Sequence, residues 1–283
     1  MISRSLVKAP DLATSELVLE EPLTLSWWQR HHQVVVVILG RILFVAGLLS
    51  VWQYASGRWI DVLLVSRPSE IAAQFVDWCV DGTLLQHAQI TIIEVVAGFV
   101  LGAAAGAVAA FALAPLRLVQ RVVDPFIYAL YSLPKVALAP LFIVWFGIGI
   151  QMKILLALIT VFFLVFLNTL SGIRQVDKAL IDAVRLMGCT RLQLIRKVVL
   201  PASLAGLFTG LKVAIPYALI GAVIGELVAS NRGIGYLVSD SASRFNTAGV
   251  FAALAVLTLL AWLLNAVVSF FDRAASRWKG SEF

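Results

Sequence analysis

The chain reads as an all-α polytopic membrane protein with about six spanning helices, and three observations predict it. Its 283 residues are 61% apolar and only 13% charged, with a mean hydropathy of +0.95. A water-soluble domain cannot enclose that much apolar surface, so the bilayer is its solvent and membrane lipid its first partner. The apolar residues gather into stretches at 34–55, 88–114, 125–147, 153–172, 204–229 and 249–271. Each approaches or exceeds the length of about 20 helical residues that crosses a hydrocarbon core of roughly 30 Å. The basic residues, finally, divide unevenly between alternate connections. With the N-terminus inside, the inner segments hold fourteen, among them Arg4, Lys8, Arg174, Arg196, Lys197 and Arg273; the outer segments hold five, Arg58, Arg67, Lys153, Arg232 and Arg244. The positive-inside rule then places both termini in the cytoplasm.

Taken in order, residues 1–33 form a polar, mixed-charge cytoplasmic tail. The apolar stretch after it is too long for a signal-peptide core, so 34–56 reads as a retained first span with Trp27 and Trp28 at the interface. Residues 57–87 form an outer segment, in which Ser69 is expected to cap a short helix with Ile71, Ala72, Phe75, Val76 and Trp78 on its apolar face. The core of the protein is 88–272. Its first helix carries Gly98, Gly102, Gly106 and Ala110 at four-residue spacing, a small-residue stripe that lets another helix approach closely, within one subunit or across a dimer. The next span contains Pro134 and Pro140, which deny the helix backbone donors and clash with the preceding turn, so it is expected to be broken. Irregular backbone at membrane depth persists where protein or a wet cavity surrounds it. The basic inner loop 173–203 reads as two short amphipathic helices joined at Gly188, where a missing Cβ permits a turn, with Pro201 opening the next span. Residues 273–283 form a cytoplasmic C-terminal tail. Cys79 and Cys189 fall on opposite faces, so no disulfide is expected, and neither has metal-ligand neighbours.

Charged and amide groups inside spans are functional candidates, because burying them in lipid is costly. Lys135, beside the break, either lines a path or pairs with Glu94, or else bonds carbonyls freed by Pro134 and Pro140. Glu226 ends the fifth span, while Asn168 and Thr169 in the fourth can bond a cargo or a neighbouring helix. Arg41 and Lys212 read as snorkelling cations. An enzyme needs convergent catalytic groups, but His31, His32 and His87 divide between faces without an accompanying carboxylate pattern, so no metal site is expected. The phosphate-cradling Gly-x4-Gly-Lys-Ser/Thr pattern is absent from the sequence, so this chain does not hydrolyse ATP by itself. Its cations are scattered over loops without interleaved aromatics, which argues against nucleic acid as a partner. A secondary transporter or a channel is the rival class; it would show inverted repeats or a ring of like charges, and neither is visible.

The inner loop carries one further pattern: Asp182-Ala183-Val184, three residues, Gly188, nine residues, then Val198-x-Leu200-Pro201. It resembles the EAA loop of permease subunits in ATP-binding-cassette importers, the bacterial inner-membrane components of binding-protein-dependent transport systems. Asp182 and Val184 stand where the usual Glu and Ala are found, keeping the charge and the helix. Leu85-x-His87-x3-Thr91 with Gly98-Phe99, Pro134-Lys135-Val136-Ala137-x2-Pro140-Leu141 with Trp145-Phe146-Gly147-Ile148-Gly149, and Gly225-Glu226-x6-Gly233-Ile234-Gly235 are similar to the nitrate/sulfonate/taurine/bicarbonate branch. The resemblance implies the type I importer (MetI-like) fold, a five-helix core with an additional N-terminal span. It implies no cofactor on this chain and a coupling role for Asp182, Ala183, Val184, Gly188, Val198, Leu200 and Pro201. Its implied partners are a second permease copy, two ATPase subunits that bind ATP and Mg, and an outer solute-binding protein. The implied cargo is a small anion or small organic solute, with an aromatic acid or a vitamin- or pyrimidine-type solute as the alternative. Glu226 is implied to lie near the outer gate, and Glu94 stands where relatives commonly carry Arg.

Overall fold

The computed structural model describes residues 27–276, almost all of them helical. The expected tail 1–33 therefore lies outside the described residues up to position 26, and the tail 273–283 from position 277 onward. Residues up to Trp52 and residues from Gln53 form two compact units. The first is dominated by α1 (Trp27–Ala55), 29 residues that extend about 44 Å at 1.5 Å per residue, enough to cross a bilayer.

The second unit begins with the end of α1 and a short turn, then α2 (Pro68–Val80). Ser69 does not cap α2. The cap position is Arg67, Pro68 takes the first turn, and the Glu70 carboxylate accepts from the Arg67 N–H at 3.4 Å. Proline suits that turn because its missing N–H has no helical partner there. Ser69 instead exchanges two hydrogen bonds with Gln53, at 2.9 and 3.1 Å. Of the expected apolar face, Trp78 is buried and Ile71 and Phe75 pack beside it against Ile234, Leu237 and Val256, whereas Ala72 and Val76 stay exposed.

Three long helices make the core: α3 (Thr83–Leu113), α6 (Ile150–Arg174) and α9 (Leu200–Val228). In lipid no hydrophobic drive favours one helix pair over another, so close van der Waals approach decides the packing. The stripe Gly98, Gly102, Gly106 supplies it within one chain. A Cβ built on Gly98 would meet Ala157 Cβ at 2.5 Å, and one on Gly102 would meet the Leu158 carbonyl at 2.5 Å. Ala110, one turn further, is fully buried beside Phe166 and Leu170. A second seam joins α6 to α9, where Gly206 lies against Gly172 and Gly221 against Ala157. Val95, Val161, Val165, Ala214 and Ala218 fill the space between the three helices. The remaining elements are α10 (Ile234–Ser243) and α11 (Thr247–Ser276), which pack on each other, on α2 and on α9.

The expected broken span is α4 (Arg117–Ser132), a 3-10 turn (Lys135–Leu138) and α5 (Ala139–Phe146), with an 85° bend. The break comes from Pro134 alone. Pro140 sits in the first turn of α5, where it interrupts nothing. Pro134 has no N–H to continue the ladder, and the Leu133 N–H turns to the Leu130 carbonyl at 3.3 Å.

The inner loop departs from expectation in its second half. The first short helix is α7 (Lys178–Leu186), but α8 (Arg191–Leu194) passes through a π-helical turn (Ile195–Val199) directly into α9. Pro201 lies inside this continuous helix rather than opening it. Its ring would crowd the carbonyl four residues back in a regular α-helix, and the wider π turn stands immediately before it.

Candidate functional site

One end of the core, the end away from the 173–203 loop, holds a buried polar cluster built from residues far apart in sequence. Glu94, on α3, is fully buried, and Lys153, on α6, is 5% exposed. The Lys153 Nζ donates to Glu94 Oε1 at 2.7 Å. Glu226, at the end of α9, is 1% exposed and interacts electrostatically with both groups. Its Oε1 accepts from Thr91 Oγ1 at 2.7 Å, and its Oε2 accepts from the Gly235 N–H at 2.6 Å. The Ile234 N–H donates to Thr91 Oγ1 at 2.9 Å, and the Gly233 N–H to His87 Nδ1 at 3.0 Å. Gly233 has φ +112, and a Cβ there would collide with the Glu226 carboxylate. Glycine is thus required at that point twice over, by backbone and by space.

This cluster ties α3, α6, α9 and the start of α10 together. One ammonium faces two carboxylates, and a hydroxyl and a backbone N–H hold the second. Buried charges persist only when paired and hydrogen-bonded in this way. The three ionic groups are enclosed by the chain's own helices and brace this end of the core.

The expected Lys135–Glu94 pair does not form, because Glu94 is taken by Lys153. Lys135 hydrogen-bonds the Tyr131 carbonyl and lies over the Tyr131 ring, 4.6 Å from its centroid. That carbonyl lies in the last turn of α4, next to the break at Pro134, so Lys135 bonds a helix-end carbonyl rather than Glu94. Asn168 donates to the Leu164 carbonyl at 2.8 Å and packs under Gly206 and Gly210. Thr169 is fully buried. Asn168 thus lies in the α6–α9 seam. Arg41 and Lys212 are exposed, and Cys79 and Cys189 are free thiols.

Sequence places Lys153 with the outer connection because it is the first residue of the expected 153–172 span, where a lysine ordinarily reaches the interface; α6 in fact starts at Ile150. Its flanks, Met152 and Ile154-Leu155-Leu156, were the available signal, and Met152 and Leu156 are indeed buried with it. The segments singled out by sequence around His87, Thr91, Gly225, Glu226 and Gly233 all meet in this one cluster.

At the opposite end stands the loop of α7 and α8. Asp177 caps α7 by accepting from the Ala179 N–H at 2.8 Å. Thr190 and Gln193 form a reciprocal box at the start of α8, at 2.9 and 3.3 Å. Between them Gly188 adopts φ +79. Asp182 and Ala183 are exposed, Val184 half-buried, and Asp182 lies 3.7 Å from Arg185. Leu186 is 90% and Met187 83% exposed at the tip. Val198 is half-buried, while Leu200 and Pro201 are exposed along the helix that follows. Well-capped short helices presenting large bare apolar side chains on a loop are built to be covered by something else.

Residues 98–280 match the family described as binding-protein-dependent transport system inner membrane component. The chain belongs to that family. It is thus a multi-pass inner-membrane permease subunit of an ATP-binding-cassette importer, and the ATPase of such a system is a separate chain. Among curated relatives, a protein named as an aliphatic sulfonates transport permease, SsuC of Bacillus subtilis (strain 168), is 32% identical over 85% of this chain and 87% of its own. The riboflavin transport system permease protein RibX of Chloroflexus aurantiacus is 33% identical over 77% of this chain and 81% of its own. The taurine transport system permease protein TauC of Escherichia coli (strain K12) is 29% identical over 90% and 94%. Among solved structures, the inward-facing MetNI methionine ABC transporter matches with TM-score 0.57 and 23% identity over 70% of this chain and 96% of that one. This confirms the expected importer fold.

Proposed function

We propose that the chain forms the translocation path of an importer built from two permease copies, two ATPase subunits that bind ATP and Mg, and an outer solute-binding protein. Both termini and the 173–203 loop lie in the cytoplasm in this reading. The supporting observation is the tip of that loop: Leu186 and Met187 stand almost bare beside the left-handed turn at Gly188. A short helix with an apolar knob docks in a groove on a partner, and the partner on that face is the ATPase. Asp182, Ala183, Val184 and Gly188 shape the docking end, while Val198, Leu200 and Pro201 belong to a helix continuous with α9. A push on the tip therefore passes through the Gly188 turn into α8, which runs on directly as a spanning helix.

The cargo we propose is a small organic sulfonate, taurine among them, supported by the names of two relatives. Glu94 does not oppose this, because Lys153 already neutralises it.

The test is substitution at Gly188. Nothing lies within 4 Å of a Cβ built there, so a side chain meets no clash and the effect is backbone strain alone. Left-handed geometry costs an L-residue roughly 1–2 kcal/mol, more for a β-branched one, and least for Asn. In proteoliposomes holding the full complex, Gly188→Val should insert normally and lose ATP-driven uptake, while Gly188→Asn keeps most of it. Full uptake with Gly188→Val would overturn the coupling role.

A further inference from the structure

A cavity of about 590 Å³ opens beside the inner loop, between the ends of α3, α4 and α6 and the inner side of α7 and α8. Its rim carries Arg121, Arg174, Lys178 and Arg185 against a single carboxylate, Asp124. Asp124 is engaged by Arg174 at 2.9 Å, and Gln120 adds a contact to the same guanidinium at 3.2 Å. Arg185 is shared with Asp182, 3.7 Å away on its own helix, while Arg121 and Lys178 keep their field for another anion. The deep wall is apolar, formed by Leu170, Leu194 and Val199 among others. Three membrane helices end at this level: α3 at Leu113, α4 at Arg117 and α6 at Arg174. The cavity thus sits where a spanning bundle meets the headgroup layer.

We propose that this cavity binds the phosphate headgroup of an anionic phospholipid from the inner leaflet, wedged between the bundle and the coupling helix. The inference rests on placing the 173–203 loop in the cytoplasm. A phosphodiester meets Arg121, Lys178 and Arg185 at the rim, and the glycerol end of the lipid meets the apolar wall. Soluble phosphate satisfies only the rim. Basic residues beside an anionic leaflet each attract it appreciably, and a basic pocket between helices on the cytoplasmic side is the usual form of a headgroup site. Because Lys178 and Arg185 belong to α7, an occupied site holds the inner side of the coupling helix while its exposed tip remains available to the ATPase.

The experiment uses the complete transporter in nanodiscs of phosphatidylcholine with and without phosphatidylglycerol, with retained lipid counted by native mass spectrometry. The wild type should retain phosphatidylglycerol in a saturable way. The double variant Arg121→Gln/Lys178→Gln should bind it roughly thirtyfold more weakly, the loss expected for two basic residues near an anionic surface. Glycerol phosphate added as a soluble competitor should not displace the lipid. Equal retention by the variant, or full displacement by glycerol phosphate, overturns the proposal. So does retention of the lipid only by particles that have lost the ATPase, since the cations would then belong to that interface. Co-purification of the ATPase is read on the same samples, so failure of the coupling reading is seen separately from failure of the lipid site.

Discussion

Replacing Lys153 by Met isolates the charge in the Glu94–Lys153–Glu226 cluster. Methionine keeps an unbranched stem, so the packing of Lys153 against Gly225, where Cγ lies 2.9 Å from a built Cβ, is retained. What disappears is the Nζ bonded to Glu94 Oε1 at 2.7 Å. Glu94 is fully buried, so its carboxylate is stranded next to that of Glu226. Removing one partner of a buried pair costs about 3–5 kcal/mol, most of it the penalty of the charge left behind. Glu226 keeps its donors from Thr91 and Gly235. Adding Glu94→Gln removes the stranded charge, and its amide can donate to Glu226. The double variant should therefore recover more than half of the loss. The assay is thermal unfolding of the detergent-purified protein, followed by size-exclusion fluorescence. A single variant as stable as wild type would refute the reasoning. So would a double variant whose loss equals the sum of the two single losses, because independent sites add and coupled ones do not.

Gly102→Val should prevent α3 from closing on α6, since even a Cβ reaches the Leu158 carbonyl at 2.5 Å, and little assembled protein should be recovered from membranes; Gly149→Ala, with nothing within 4 Å, should fold normally. Lys135→Met should cost about 1 kcal/mol, the scale of one hydrogen bond. Glu94→Gln should not rescue it, because the two residues do not touch, and a thermal-stability cycle on the two positions should read no coupling.

Much of the fold was legible because the bilayer imposes long apolar runs and a charge asymmetry that a sequence displays directly. The Gly98–Gly102–Gly106 stripe declared a seam, and the comparison of helix faces shows the partner to be α6 of the same chain. The break at Pro134 was legible from missing backbone donors, although Pro140 was misjudged, since a proline is harmless in a first turn. The merging of α8 into α9 was hidden because Pro201 reads as a helix start, and nothing local announces the π turn that accommodates it. The Glu94–Lys153 pair was hidden for another reason. Its partners are 59 residues apart, and a lysine near a span end looks like an interfacial cation until the depth of the helix is known. At the loop, Gly188 announced its turn, whereas the exposure of Leu186 and Met187 emerged only once the flanking helices were placed.

The central claim, that α7 is the contact with the ATPase, is tested most directly by a photocrosslinking side chain at Leu186 in membranes carrying the transport-active complex. The account predicts that crosslinked product consists mainly of this chain joined to the ATPase subunit, with the yield falling when the ATPase is absent. Crosslinks only to lipid, in membranes where ATP-driven uptake proceeds at the wild-type rate, would contradict it.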